Sequence, residues 1–259
     1  MHKYSEYINE SILESWFSAK TMADSQLQQL ISTNNFEKIK PNFKQISNRL
    51  FRTDNPYHSY ERKNLCKAMS YPAHIGDKTI NAIITLLNGV PKFGVEVGSF
   101  IGSSATILGN MMKQNDGVLM CVDTWCGDIN MWLLDNFAHT MQKPDGNPKI
   151  YDRFMTNMID NDLTQNVIPF RVSSIVAART LKVLNYEIDF VYLDSAHEAG
   201  ETFMELSLYF DILKPGGIIF GDDYVGFPAV KQDLDLFCKV TNSNLLFTGD
   251  GDTWILQKK

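Results

Sequence analysis

The stretch Val95-Glu96-Val97-Gly98-Ser99-Phe100-Ile101-Gly102-Ser103-Ser104-Ala105 runs from apolar residues through two glycines into a helical pattern, Ala105 to Met112. Glycine at 98 and 102 lets the backbone turn sharply, and a helix starting there aims free N–H groups at whatever lies beyond the strand. The reading is a ligand loop between a strand and a helix, the plainer alternative being an ordinary strand-to-helix turn. A dinucleotide fingerprint would be G-x-G-x-x-G. Here the pattern is Glu-x-Gly-x-x-x-Gly, with Phe100 in place of the second glycine, so close approach of a pyrophosphate is disfavoured.

Downstream, the apolar runs Val118–Val122, Val167–Val172, Ile188–Leu193 and Gly217–Phe220 follow Phe93–Val97, each separated by a helix-length segment. This alternation predicts β-α-β units and a parallel sheet covered on both faces. The last two runs, Leu245–Thr248 and Thr253–Leu256, are joined by Gly249-Asp250-Gly251-Asp252, too short for anything but an antiparallel hairpin. The predicted fold is α/β: a Rossmann-like seven-stranded sheet, mostly parallel with an antiparallel final strand, and helices on both faces.

Upstream, Tyr4 to Lys67 is polar and free of glycine, with Ile8, Ile12, Leu13 and Trp16 spaced as in helices. A turn-rich stretch, Tyr71 to Asp77, precedes a helical pattern from Thr79 to Leu87. Residues 1–70 are therefore expected to form an N-terminal helical cap or lid, and 71–259 the main domain. The cap is also a candidate arm for a homo-oligomer.

The 259 residues are 44% hydrophobic and 21% charged, the profile of an ordered globular protein. The net charge of −6, with scattered Lys and Arg, argues against a nucleic acid partner. Cys66, Cys121, Cys126 and Cys238 form no metal-binding spacing and read as reduced thiols. Met1 to Glu10 lacks the apolar core of a signal peptide, and no apolar run is long enough to span a membrane. A cytoplasmic protein is expected.

Chemistry gathers at the strand tips. Asp123, at the end of the second strand, is placed to accept hydrogen bonds from ribose hydroxyls, or else to cap the segment after it. Asp194-Ser195-Ala196-His197 ends the fourth strand and Gly221-Asp222-Asp223-Tyr224 the fifth, and in a parallel sheet both open on the same edge. Three converging carboxylates suit Mg²⁺, Mn²⁺ or Ca²⁺, so Asp194, Asp222 and Asp223 are the candidate metal ligands. Alternatively, Asp222 and Asp223 cap the next helix. His197 could take a proton from a substrate hydroxyl at the metal, or be a polar residue in a helix's first turn. Trp125, Trp132 and Tyr224 are candidate walls of the acceptor pocket, with plain packing as the equal alternative for aromatic residues near loops.

These motifs resemble the class I S-adenosylmethionine-dependent methyltransferases, and specifically the metal-assisted O-methyltransferases. Val95–Ala105 is similar to the Glu-x-Gly-Ala-Tyr-x-Gly-Tyr-Ser-Ala loop of catechol O-methyltransferase. The resemblance implies that Gly98 and Ser104 line the methionine end of the cofactor, with Glu96, Ser99, Phe100 and Gly102 in the same loop. It places Asp123 and Thr124 at the ribose, Ser173 and Ser174 by the adenine, and Asp194 beside both cofactor and metal. Where the catechol enzymes carry a lysine three residues after the first metal Asp, this chain has His197. That and Asp222-Asp223-Tyr224 look more like methyltransferases acting on sugars of macrolides and glycoconjugates. The implied function is methylation of a sugar or glycan hydroxyl, with a catechol or phenolic acceptor as the alternative. A nicotinamide-dependent oxidoreductase and a non-catalytic cofactor-binding module are more distant readings; Phe100 speaks against the first and the acidic cluster with His197 against the second.

Overall fold

The computed structural model describes residues 10–34, 42–58, 60, 68–69, 71–73, 75–195, 197–248 and 253–259. The polar start with Ile8, the stretch 61–67, His74, Ala196 and the Gly249–Asp252 connection lie outside the described residues. In chain order the elements are α1 (Glu10–Asn34), α2 (Phe43–Phe51), α3 (Asp77–Leu86), β1 (Phe93–Val97), α4 (Ser103–Lys113) and β2 (Val118–Asp123). The short helices α5 (Ile129–Leu133) and α6 (Ala138–Met141) precede α7 (Ile150–Asp160), β3 (Val167–Arg171), α8 (Ser174–Leu184) and β4 (Ile188–Leu193). The chain closes with α9 (Glu201–Ile212), β5 (Leu213–Gly221), α10 (Pro228–Thr241), β6 (Leu246–Phe247) and β7 (Trp254–Gln257).

The seven strands form one sheet in the order β3-β2-β1-β4-β5-β7-β6. β1 to β5 pair in parallel, and β7 runs antiparallel to both β5 and β6. All residues of β1 and β4 are buried, which is why these strands read as unbroken apolar runs. β5 starts earlier than the apolar run, at Leu213, and its pairing with β4 shifts register between Ile188 and Phe190. Lys214-Pro215-Gly216 lies in that irregular start, where polarity and proline hide a strand from a pattern of apolar residues.

Strand order decides the layers. The path from β1 to β3 steps one way along the sheet and the path from β3 to β5 returns the other way. Right-handed crossovers then put α4 and α7 on one face and α8 and α9 on the other. The second layer is tied by Tyr209, whose hydroxyl donates to the Ser174 carbonyl at 2.9 Å, and by Asp233 of α10, which accepts the amides of Gly200 and Phe203. α1 lies on this layer, where Asp24 pairs with Lys182 at 2.7 Å and Trp16 meets Phe203 edge-on at 5.8 Å.

The segment from residue 42 enters the central core. Asn42 caps α2 by accepting the amides of Lys44 and Gln45, Phe43 and Ile46 are buried, and the Tyr57 hydroxyl donates to the Val167 carbonyl at 3.0 Å. Among the described residues no helix is long and apolar enough to cross a membrane.

Candidate active site

At the carboxyl edge of the sheet, the β1–α4 loop comes first because its backbone shape is specified residue by residue. Gly98 and Gly102 both have φ of +88°, and Phe100 sits at +45°, a conformation rare outside glycine. Gly98 is obligatory: a Cβ there would stand 1.8 Å from the Asp194 carbonyl oxygen. The loop thus lies directly against the tip of β4, where the Asp194 amide donates to the Val97 carbonyl at 2.9 Å.

The unusual turn at Phe100 is held from β2. The Asp123 carboxylate accepts the Phe100 amide at 2.9 Å through Oδ2 and the Trp125 amide at 2.6 Å through Oδ1. Trp125 then donates from its indole N–H to the Phe100 carbonyl at 2.7 Å. The Ser99 and Thr124 amides also favour the ionised carboxylate, which remains partly exposed at the strand tip. Asp128, not Asp123, caps the following helix, its Oδ1 accepting the Met131 amide at 2.8 Å. Trp125 is fully buried against Tyr151 and Phe154, so it forms no wall of an acceptor pocket, unlike the half-exposed Trp132. For Trp125 the packing alternative holds and the pocket-wall reading falls. Sequence reading missed its role as a brace, for which an aromatic two residues past the strand tip is the one available hint.

Beneath the loop lies Glu96, wholly buried. Burial pushes its pKa up to about 7, against the pull of the nearby Ser104 and Ser99 hydroxyls and the Cys121 thiol, which donates to Oε2 at 3.3 Å. Its Oε1 and the Ser99 Oγ are both fully enclosed beneath the loop, with the Ser99 hydroxyl close enough to favour the ionised carboxylate. Burial likewise raises the pKa of Asp123, opposed by backbone amides. Thr124 is exposed and its hydroxyl accepts the Cys126 amide at 3.2 Å. Ser173 caps α8, accepting the Val176 amide at 3.4 Å, and Ser174 opens that helix.

A hollow at the ends of β4 and β5 is lined by Asp194, Ser195, His197, Thr202, Asp222 and Asp223. His197 Nε2 meets Asp223 Oδ2 at 2.7 Å, and the Tyr192 hydroxyl donates to Asp194 Oδ2 at 3.1 Å. Donor atoms of Asp194, His197 and Asp223 lie within 4.8 Å of one another. Asp222 stands outside that group; it lines the hollow while its carbonyl accepts the Trp254 indole N–H at 2.9 Å. Neither acid caps α10, whose N-cap is Phe227, and His197 precedes α9 rather than lying in its first turn.

The charges here are crowded. Burial first, then the negative charges of Asp223 and Asp222, lift Asp194 to about 6, although the Tyr192 hydroxyl and His197 pull it back. For His197, burial disfavours the imidazolium, but the Asp223 hydrogen bond and the charges of Asp223, Asp194 and Asp128 outweigh it and raise the pKa. Phe227 stacks on the imidazole with ring centroids 4.0 Å apart. No sequence signal pointed to Phe227 or to the Tyr192 hydroxyl.

A parallel sheet of this order, with a glycine-shaped loop after β1 and acids at the tips of β2, β4 and β5, defines a Rossmann-like α/β protein with one ligand-binding edge. A family model described as a methyltransferase domain matches residues 95–224, from β1 through the tip of β5, and the chain belongs to that family. None of the curated proteins matches the sequence. Similar solved structures include the O-methyltransferase from Bacillus cereus in complex with SAH, at 13% identity, covering 83% of this chain and 96% of that one, with a TM-score of 0.49. The O-methyltransferase TomG from Streptomyces achromogenes, in complex with SAM, has 14% identity, 70% and 79% coverage, and a TM-score of 0.48. CalS11, a calicheamicin methyltransferase, has 13% identity, 99% and 97% coverage, and a TM-score of 0.49.

Proposed function

We propose that this methyltransferase is S-adenosylmethionine-dependent and methylates a hydroxyl group, with a sugar or glycan as the acceptor. The observation that carries the reading is the 2.7 Å contact between His197 Nε2 and Asp223 Oδ2 at the strand tips, next to the loop that Gly98 packs against Asp194. An ionised carboxylate only accepts, so the nitrogen facing it bears the proton, and in the neutral imidazole Nδ1 keeps a lone pair. His197 Nδ1 accepts the proton of the acceptor hydroxyl, and Asp223 stabilises the resulting imidazolium through Nε2–H. When bound, the cofactor would supply an electrophilic methyl group on a sulfonium centre, whose leaving group is a neutral thioether.

The first loop suits that cofactor. Asp123, partly exposed at the tip of β2, holds the loop by its backbone amides and faces the edge where the ribose hydroxyls of such a cofactor would lie. Gly98, Phe100, Gly102 and Ser104 shape the loop, while Thr124, Ser173 and Ser174 flank the same edge. The donor set at the second tip suits a divalent cation such as Mg²⁺, Mn²⁺ or Ca²⁺: Asp194 and the second oxygen of Asp223 would hold it, with Asp222 beside them. Such an ion would supply positive charge that offsets the crowded acids and favours an ionised hydroxyl. Reduced thiols, among them Cys121, Cys126 and Cys238, fit a cytoplasmic setting.

Two measurements test this. Calorimetric titration of S-adenosylhomocysteine into chelator-treated protein should give binding, and Mg²⁺ should strengthen it or enable turnover; no binding with or without Mg²⁺ removes the reading. A panel of methyl glycosides and catechol, assayed with methyl-labelled S-adenosylmethionine, should show label on the glycosides. Labelling of catechol alone overturns the sugar assignment.

A further inference from the structure

We infer that Phe227 is a positioning residue that fixes the plane of the His197 imidazole, an inference that rests on His197 being the proton acceptor. One turn grips the ring from two directions. In the ring plane, Asp223 holds Nε2 at 2.7 Å; across the plane, the Phe227 ring stacks at 4.0 Å between centroids and 19° between planes. The two grips are parts of one rigid unit, because the Phe227 amide donates to the Asp223 carbonyl at 2.9 Å.

The turn cannot relax easily. Asp223 sits at φ +69°, Phe227 is held extended at φ −123° and ψ 107° by the proline that follows it, and Pro228 begins α10. A single hydrogen bond at Nε2 leaves the imidazole free to rotate about the line of that bond, which would swing Nδ1 out of register. The stacked phenyl removes that rotation. His197 lies in the connection between β4 and α9, outside any regular element, so its orientation must come from such contacts. Half-buried Phe227 is not part of the central core, which leaves geometry rather than folding as what its ring contributes.

The test uses the full-length chain with Phe227→Leu, which keeps apolar bulk without a flat face, and Phe227→Tyr, which restores the face. With the methyl glycosides and catechol as acceptors, Phe227→Leu should lower kcat by about ten- to a hundredfold while KM values for cofactor and acceptor stay within about twofold. Phe227→Tyr should recover most of kcat. In histidine-labelled protein the ring current of a stacked phenyl shifts the His197 Cε1 proton upfield, and that shift should vanish in the leucine variant and persist in the tyrosine variant. Unchanged kcat in Phe227→Leu, or no upfield shift in the parent protein, overturns the inference. Failure of the underlying reading shows separately, as a His197→Gln variant that keeps its kcat while the ring-current shift in the parent is intact.

Discussion

Glu96 and Asp223 show how single acids at the strand tips take different work from their surroundings. Glu96 has no cation beside it, and burial raises its pKa from 4.5 to about 7. Between those values the folded protein holds a proton that the unfolded chain releases, so this group's contribution to stability is greatest at and below pH 4.5 and falls as pH rises to about 7. Glu96→Gln does not titrate. Relative to the parent it should gain on the order of 2–3 kcal/mol between pH 5 and pH 8, read by urea unfolding at both values, and parallel pH slopes for the two proteins would refute the assignment. Asp223 acts instead through its bond to His197 Nε2. In Asp223→Asn the amide can donate to Nε2 and move the ring proton to Nδ1, so turnover should drop about a hundredfold or more with S-adenosylhomocysteine affinity unchanged. Turnover within a few-fold of the parent would remove the dyad.

The β1–α4 loop concentrates the constraints of a whole element into five residues. Gly98→Ala must place a methyl at φ +88° and 1.8 Å from the Asp194 carbonyl oxygen, so the loop and the β4 tip have to part. The expected result is loss of calorimetric S-adenosylhomocysteine binding and a fall in stability of several kcal/mol by chemical denaturation. Binding at parental affinity would show that the loop is not the cofactor site. Why this element was legible in the sequence is clear: glycine spacing and a buried parallel strand both leave local signatures, and β1 and β4 are buried along their whole length. The braces were not legible. Trp125 reaches Phe100 from another strand, and His197 meets Asp223 only because β4 and β5 end side by side and Asp223 adopts a left-handed turn. Contacts between residues 26 positions apart depend on side-chain geometry that no local pattern encodes.

For the molecule as a whole, the decisive question is where the cap ends and the methyltransferase core begins. A division near residue 70 leaves α1 and α2 on the same side, yet the two are held differently. α1 is fastened at its surface by Lys182 and Asp24, and by the edge contact of Trp16 with Phe203. Partly exposed ion pairs of this kind stabilise by about 1 kcal/mol or less. α2 and the segment after it instead place Phe43, Ile46 and Tyr57 within the core beside β3. Burying each such side chain contributes roughly 1.5–3 kcal/mol, so the three together rival the 5–15 kcal/mol by which a typical domain is stable. Removal of residues 1–34 should therefore leave a cooperative unfolding transition and S-adenosylhomocysteine binding, whereas removal of residues 1–60 should abolish both. Calorimetric melting of the two truncated chains, with sedimentation to weigh each in solution, distinguishes the roles of the two helices. If the longer truncation melts cooperatively near the parental temperature, residues 42–58 are a dispensable cover and the division at 70 stands. If the shorter one turns a dimer into a monomer without loss of the transition, α1 is the arm that joins two copies.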